Sequence, residues 1–284
     1  MSHSAQHTHH AHADHSDHCD LADLLDLDAE VMTEHHREVM TWVASLAPDR
    51  PRIIDLGAGT GVGALALARQ MPRAEVIAVD VDEAMLGRIQ HKADALGVAG
   101  RVRTVQADLD QAWPAIGPAD LVWAANSLHH VADPGRALAQ IHAVLRPGGV
   151  LVVSEMGSFP RFLPDEAGAA LEEHCHTAMA EIRTEAGMHM DEDWGARLAG
   201  AGFAVEAERR FDIVMSPPLP AAAGRYAQVT FERMRHGLED RLGASDLAAL
   251  ETAAAGISGR ADLVIRASRT VWLGRRRERD TETG

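Results

Sequence analysis

The chain has 284 residues, 46% of them hydrophobic, which is enough for one α/β domain of above-average size with a substantial core. Its 42 acidic and 27 basic side chains give a net charge of −15, and this disfavours a nucleic-acid partner because binding a polyanion usually takes a basic surface. Every apolar run is short and interrupted by charge, so we predict no membrane span. The N-terminus lacks the pattern of a secretory signal, and a cytoplasmic location is therefore expected.

Residues 1–20 are polar and rich in histidine, and they contain almost no large apolar side chain. Such a segment cannot build a core, so we predict a disordered tail. A functional interpretation is weak binding of a transition metal through imidazoles. The histidine spacing is irregular and implies no single geometry, and Cys19 and Cys175 form no paired metal motif. We therefore assign no metal site.

Residues 28–47 carry apolar side chains at three- and four-residue steps, which predicts a helix. From residue 52 onwards, strands and helices alternate regularly. Strands are predicted at 52–56, 75–80, 101–105, 119–124 and 150–155, with helices at 62–70, 83–96 and 133–145. Because each strand is almost wholly apolar and is followed by a helix or a loop, we expect a parallel sheet covered on both faces.

The alternation breaks after residue 155. A helix is predicted at 190–200, a sixth strand at 203–215 and a final strand at 269–274. Two stretches that follow the fifth and sixth strands are too long to be simple connections, and we predict that they form a lid over a substrate. The predicted division is a tail (1–20), an N-terminal helix with the binding core (21–157), a lid insertion (158–189), further core (190–217), a helical lid insertion (218–262), and a final strand with a basic tail (263–284).

The first strand runs directly into the turn Gly57-x-Gly59-x-Gly61, and a helix follows at once. Glycine permits a sharp turn and a close approach of the backbone to a ligand, and a helix N-terminus offers free N–H groups. A glycine pattern alone gives frequent false matches. Here two acids accompany it at the ends of the next two strands. Asp80 can accept the hydroxyls of a ribose, and Asp108 stands where an acid can accept from an adenine amino group.

Together with Asp55, the segment Asn-Ser-Leu-His-His at 126–130 and the turn Leu-Arg-Pro-Gly-Gly at 145–149, these residues resemble the class I S-adenosylmethionine-dependent methyltransferases. The resemblance covers residues 30–157 closely and the remainder only in topology. It implies S-adenosylmethionine as the cofactor. It also implies a Rossmann-like, doubly wound α/β fold, whose mostly parallel seven-stranded sheet has an antiparallel C-terminal hairpin and helical lid insertions. The cofactor-binding residues it implies are Asp55, Gly57, Gly59, Gly61, Asp80, Val81, Asp108, Leu109, Asn126 and Ser127.

A nicotinamide-dependent oxidoreductase is the main alternative for these glycines. A diphosphate-binding turn prefers Gly-x-Gly-x-x-Gly, and counting from Gly59 places the tolerated Ala64 at the third glycine. The turn alone therefore does not exclude a dinucleotide. The acid at Asp55 argues against one, because a carboxylate repels a diphosphate and attracts an ammonium group. A non-catalytic module that binds S-adenosylmethionine is the second alternative.

The residues that bind or activate the methyl acceptor are less clearly marked in the sequence. Transfer from a sulfonium mainly requires positioning of the acceptor and exclusion of water, and a base is needed only if the acceptor must lose a proton. His129 is the candidate base and His130 a candidate contact to the acceptor, with a structural role for the pair as an equal alternative. Tyr226, in the second insertion, is the other catalytic candidate, with packing as its alternative.

The remaining candidates for substrate contact are Met156, Phe159, His174, His176 and Met215. Positions two apart on a helix point in different directions, so the two histidines are not expected to share a metal. An apolar lid suits a small, apolar acceptor, including an aromatic one, that is methylated on oxygen, nitrogen or carbon. The chain thus resembles small-molecule methyltransferases of bacterial specialised metabolism. Neither nucleic acid nor a membrane is an expected partner, and the insertions could serve as contacts of a homodimer.

Overall fold

The structure, a computed structural model, describes residues 15–190 and 192–277. Residues 1–14 lie outside the described part of the chain, so the tail and its metal-binding interpretation stay predictions. The N-terminal region differs from expectation in two ways. Helix α1 spans His15–Val31, so it begins within the stretch that was predicted as a tail. Helix α2 spans Thr33–Ala44, and a break at the buried Met32 replaces the single predicted helix.

In the described residues, seven strands form one sheet in the order β3-β2-β1-β4-β5-β7-β6. The first five strands are parallel, and β7 pairs antiparallel with both β5 and β6, which confirms the predicted fold class. The strands are β1 (Arg52–Leu56), β2 (Glu75–Asp80), β3 (Val102–Gln106), β4 (Ala119–Ala125), β5 (Leu145–Arg161), β6 (Phe203–Met215) and β7 (Ile265–Arg276).

Helices cover both faces of this sheet. The adjacent residues Ile53 and Ile54 point to opposite faces, and both are fully buried in two separate apolar clusters. The continuous apolar strands are therefore covered on both faces of the sheet, as the sequence predicts. The remaining helices are α3 (Val62–Gln70), α4 (Glu83–Ala95), α5 (Pro134–Val144), α6 (Glu166–Glu185), α7 (Trp194–Gly200), α8 (Ala223–Gly237) and α9 (Ala244–Ile257), with short 3₁₀ turns at Ala99–Arg101 and Leu128–His130.

A third apolar cluster joins α1, α6, α8 and α9 to the extended ends of β5 and β7. Its largest side chains include Phe162, Tyr226 and Phe231, all buried. The second insertion is thus a pair of helices with its own core, packed on the N-terminal helix. Within the described residues, no helix combines the length and apolarity that crossing a membrane requires.

Candidate functional site

A crevice of about 510 Å³ opens at the carboxyl ends of β1 to β4, and we call it the strand-end crevice. Its volume lies within the usual range for small-molecule sites. Eight of the ten predicted cofactor residues line it: Gly57, Gly59, Asp80, Val81, Asp108, Leu109, Asn126 and Ser127. The sequence did not single out its other lining residues, apart from His130. They are Leu21, Leu25, Asp82, Met85, Ala107, Asp110 and Val131.

The glycine turn needs glycine for reasons that the structure makes explicit. Gly57 and Gly59 have φ angles of 65° and 52°, in the left-handed region that side chains rarely adopt. A Cβ atom on Gly57 would stand 2.4 Å from the Cβ of Ser127. The N–H of Gly59 donates to Asp80 Oδ2 at 2.7 Å, which ties the turn to the end of β2. The turn is therefore fixed by both conformation and close packing.

Two polar atoms on the wall of the crevice lack partners. Asn126 Oδ1 and Ser127 Oγ are buried and have no hydrogen-bond partner in the described chain. Asn126 also has a φ of 49°, an uncommon angle for a residue other than glycine. A buried acceptor without a donor costs about 1–3 kcal/mol, so such atoms are usually satisfied by a ligand or water. Both atoms can accept from an ammonium group, which fits the methionine part of S-adenosylmethionine.

Four carboxylates give the crevice a negative wall: Asp80, Asp82, Asp108 and Asp110. Backbone N–H groups orient each of them, for example that of Ala84 to Asp82 at 2.7 Å. An ionised carboxylate has about four acceptor positions, so Asp80 and Asp108 retain capacity for a ligand. This charge favours a ligand that is positive overall and repels a diphosphate.

Two of the predicted cofactor contacts, Asp55 and Gly61, do not line the crevice. Asp55 is only 2% exposed, and its Oδ2 accepts from the N–H of Ala64 at 2.7 Å, inside the first turn of α3. Burial raises the pKa of Asp55 to about 7. Gly61 precedes α3, and a Cβ there would meet Ile89 of α4 at 2.8 Å. Both residues support the turn from beneath.

Helix α1 covers the crevice. Leu21 and Leu25 line it, and Leu25 Cδ1 would lie 3.1 Å from a Cβ on Gly59. Asp26 secures the helix, because its carboxylate accepts from Lys92 Nζ at 2.5 and 2.7 Å and from Thr60 Oγ1 at 2.6 Å. The sequence reasoning missed this cover because the segment was divided between a tail and a later helix. The run of leucines and aspartates over residues 20–28 was the available signal.

The two neighbouring histidines have different environments. His129 is 3% exposed, and its Nδ1 lies 2.5 Å from Oε2 of the equally buried Glu155. Its ring centre is 4.1 Å from that of His130, which lines the crevice. Partial desolvation lowers the pKa of His130 to about 4, with His129 and the positive charge of Arg183 acting in the same direction. Sequence reasoning missed Glu155, although an acid that follows the apolar stretch of β5 was a visible signal.

A second cavity, of about 260 Å³, lies between the end of β5 and α6, and we call it the lid cavity. Three predicted substrate contacts line it: Met156, Phe159 and His176. Arg183 lines it as well, and its guanidinium lies 4.2 Å from the ring centre of Phe159. The N–H of His189 donates to the carbonyl oxygen of His129 at 2.9 Å, so the segment after α6 is attached to the histidine turn.

Three other predicted contacts line neither cavity. Tyr226 is 2% exposed, and its hydroxyl donates to Asp28 Oδ1 at 2.6 Å beside the third apolar cluster, so its position does not support the catalytic assignment. His174 is exposed on the outer face of α6, 3.4 Å from Asp246. Met215 lines a separate open groove between α2 and β6. These three positions differ from the prediction because helix phase and long-range packing decide which way a side chain points. The periodicity of the sequence determines neither.

Comparison with known proteins identifies the domain that carries this site. Residues 53–149 match the family described as a methyltransferase domain. Demethylmenaquinone methyltransferase of Thermus thermophilus is 40% identical over 39% of the chain and 49% of its own length. Malonyl-acyl-carrier-protein O-methyltransferase of Laribacter hongkongensis is 33% identical over 54% of the chain and 50% of its own length. Trans-aconitate 2-methyltransferase of Acidovorax sp. is 31% identical over 60% and 56%, respectively.

Solved structures show the same fold at low identity. An O-methyltransferase family protein from Burkholderia thailandensis is 17% identical with a TM-score of 0.54, and the match covers 94% of this chain and 62% of that one. The cyclase SpnF is 21% identical with a TM-score of 0.52, and the match covers 85% of this chain and 80% of that one. At these identities, the likeness concerns the fold alone.

The sequence matches, the sheet order and the strand-end crevice agree. Residues 53–149 match a methyltransferase domain, and the sheet has the strand order and mixed strand directions of the Rossmann-like methyltransferase fold. S-adenosylmethionine is the cofactor of such a domain. The chain spans about half the length of the three relatives named above, so their whole activities are not carried over to it.

Proposed function

We propose that this protein transfers the methyl group of S-adenosylmethionine to oxygen, nitrogen or carbon of a small molecule held under the lid. The observation that carries the proposal is the unpartnered pair Asn126 Oδ1 and Ser127 Oγ, buried beside the glycine turn in an acidic crevice. The pair fits an ammonium group, and the surrounding carboxylates fit a ligand with net positive charge. A cytoplasmic location, a homodimer and the absence of a nucleic-acid partner belong to this proposal.

Bound S-adenosylmethionine supplies an electrophilic methyl group on a sulfonium. In this proposal Asp80 accepts from the ribose hydroxyls and Asp108 accepts from the adenine amino group, and both residues line the crevice. Leu21 and Leu25 of α1 exclude water from the same side, which favours transfer over loss of the methyl group to solvent. In this proposal the protein acts mainly by position, as an in-line displacement requires.

The histidine pair divides its roles in this proposal. Glu155 orients the buried His129 through Nδ1, and His129 packs against His130 in turn. The pKa of His130 is lowered to about 4, so its ring is uncharged at neutral pH. The ring can therefore accept a hydrogen bond from the molecule that receives the methyl group. We therefore assign contact with the acceptor to His130 and positioning to His129, in place of a base at His129.

The nicotinamide alternative is opposed by the charge of the crevice. Asp80, Asp82, Asp108 and Asp110 all line the space that a diphosphate would enter, and no arginine or lysine lines it within the described residues. A non-catalytic module that binds S-adenosylmethionine is the other candidate, because the lining of the crevice accounts for cofactor binding alone. Only turnover separates that candidate from the enzyme.

Isothermal titration of the full chain with S-adenosylmethionine, S-adenosylhomocysteine and NADH tests the cofactor. We expect the first two to bind and NADH not to bind. Asn126→Gly keeps the left-handed backbone and removes the side chain, so it should weaken S-adenosylhomocysteine binding about tenfold, the value of one charge-assisted hydrogen bond. Gln90→Ala, at an exposed position outside the crevice, is the control.

Formation of S-adenosylhomocysteine with panels of acids, phenols and amines tests turnover. Binding of NADH alone, or an affinity unchanged by Asn126→Gly, would overturn the assignment of the crevice. Cofactor binding without product from any panel would favour the binding module.

A further inference from the structure

Arg183 lines the lid cavity without a carboxylate partner among the described residues. Its guanidinium lies over Phe159, and its Nη1 is 4.0 Å from Met190 Sδ, and neither contact balances its charge. Desolvation lowers the pKa of Arg183 to about 10, and the nearby Arg233 contributes, so the group stays charged at neutral pH. A half-buried cation without a counterion is costly unless a ligand supplies the opposite charge.

The other charged groups at the lid cavity leave one positive charge in total. Arg161 forms an ion pair with Glu173, so these two lining residues balance each other. His176 is 8% exposed, and burial lowers its pKa to about 4, so it is neutral. Its Nε2 is buried and has no hydrogen-bond partner in the described part of the chain. The cavity therefore combines a single net charge with an unsatisfied polar atom, and both point to a ligand.

We infer that the methyl acceptor carries a carboxylate, which binds the guanidinium of Arg183 in the lid cavity. The inference rests on the proposed function and names the chemical class of its substrate. The planar guanidinium matches a carboxylate with two parallel hydrogen bonds, and the net charge of +1 matches a monoanion better than a phosphate dianion. Phe159 and Met156 supply apolar contact for the carbon skeleton beside it.

The position of Arg183 relative to the strand-end crevice supports an anchoring role. Its charge contributes to the lowered pKa of His130, so the two residues lie within electrostatic reach of each other. The backbone bond from His189 to His129 attaches the end of this lid segment to the histidine turn. In this inference the acceptor extends from Arg183 towards His130, at the edge of the crevice. The apolar acceptor expected from the sequence thereby gains one charged end.

The test compares acids with their neutral amides on the full chain loaded with S-adenosylhomocysteine. Benzoate and hexanoate are the anionic probes, benzamide and hexanamide are the matched neutral ones, and ligand-observed NMR gives the affinities at pH 7.5. We expect each acid to bind about tenfold more tightly than its amide, because a charge-assisted pair at Arg183 is lost in the amide. Arg183→Gln should abolish the preference and Arg183→Lys should retain part of it. Arg235→Gln, which removes an exposed ion pair on α8, should leave it unchanged.

Several outcomes would overturn the inference. These are equal binding of acids and amides, a preference that survives Arg183→Gln, no binding of any probe up to about 10 mM, or tighter binding of inorganic phosphate than of the acids. The comparison on the wild-type chain holds even if a variant fails to fold. Cofactor affinity is measured separately, and the probes are also titrated without S-adenosylhomocysteine. Failure of the proposed function, seen as absent cofactor binding, is thus distinguishable from failure of the carboxylate site.

Discussion

His129 Nδ1 and Glu155 Oε2 lie 2.5 Å apart, and both side chains are buried where β5 meets the 3₁₀ turn before α5. The other carboxylate oxygen of Glu155, Oε1, has no partner among the described residues. Without the histidine, this buried carboxylate would lose the one partner that the described residues give it. The two side chains are therefore energetically coupled, and loss of their contact should lower the free energy of unfolding measurably.

We expect His129→Ala to lower the free energy of unfolding by about 1–3 kcal/mol, since it leaves a buried polar group without its hydrogen-bond partner. Urea denaturation followed by circular dichroism measures it. The double variant His129→Leu with Glu155→Leu removes both partners, and it should lose much less than the sum of the two single leucine variants. Additive losses would show that the two side chains do not interact.

Asp26 does not line the crevice, but its substitution should change the affinity for the cofactor. Asp26→Asn removes the charge that holds α1 to Lys92, so the helix that covers the crevice should open more often. We expect S-adenosylhomocysteine to bind about three- to tenfold more weakly, a cost of about 0.7–1.4 kcal/mol. Asp49→Asn removes an exposed ion pair with Arg73 at the opposite edge of the sheet and serves as the matched control. Equal affinities of the two variants would argue against a covering role for α1.

Alanine substitutions at Gly57 and Gly97 distinguish the effect of close packing from that of backbone strain. Both have positive φ angles, 65° and 67°, but a Cβ on Gly97 would meet nothing within 4 Å. Gly97→Ala should therefore cost only about 1 kcal/mol of stability and leave cofactor affinity intact. Gly57→Ala adds a 2.4 Å approach to Ser127 and should cost about 2–4 kcal/mol and lose detectable cofactor binding. Similar effects of the two variants in denaturation and titration would contradict this account.

Asp55 should make stability fall as pH rises. Burial raises its pKa in the folded protein from 3.8 to about 7, so the folded state holds this proton more tightly than the unfolded state. Its favourable contribution is complete below about pH 4 and is lost as pH rises through 7. Asp55→Asn keeps an acceptor for Ala64 and cannot ionise, so its stability relative to wild type should increase by about 1–3 kcal/mol between pH 5 and pH 8. Denaturation of both proteins at these two pH values checks the sign, and a relative stability that is constant or falling would contradict it.

Much of the core was predictable because its signals are local. Strands that are apolar throughout need cover on both faces, and residues that directly follow parallel strands meet at one edge of the sheet. Gly57, Asp80, Asp108 and Asn126 come together in the strand-end crevice for that reason. The helix boundaries were less predictable: Met32 interrupts a continuous apolar pattern because a tertiary contact, not a local signal, buries the break.

By itself, the sequence determined the sheet, the glycine turn and the acids of the crevice, since chain direction and short spacing dictate them. Only the tertiary structure decided which side chains face the site. Tyr226 is bound to Asp28, 198 positions away, and the phase of α6 turns His176 inward and His174 outward. Arg183 became a candidate for substrate binding because its charge has no counterion among the described residues. Whether a charge is paired is decided only when distant segments have packed together.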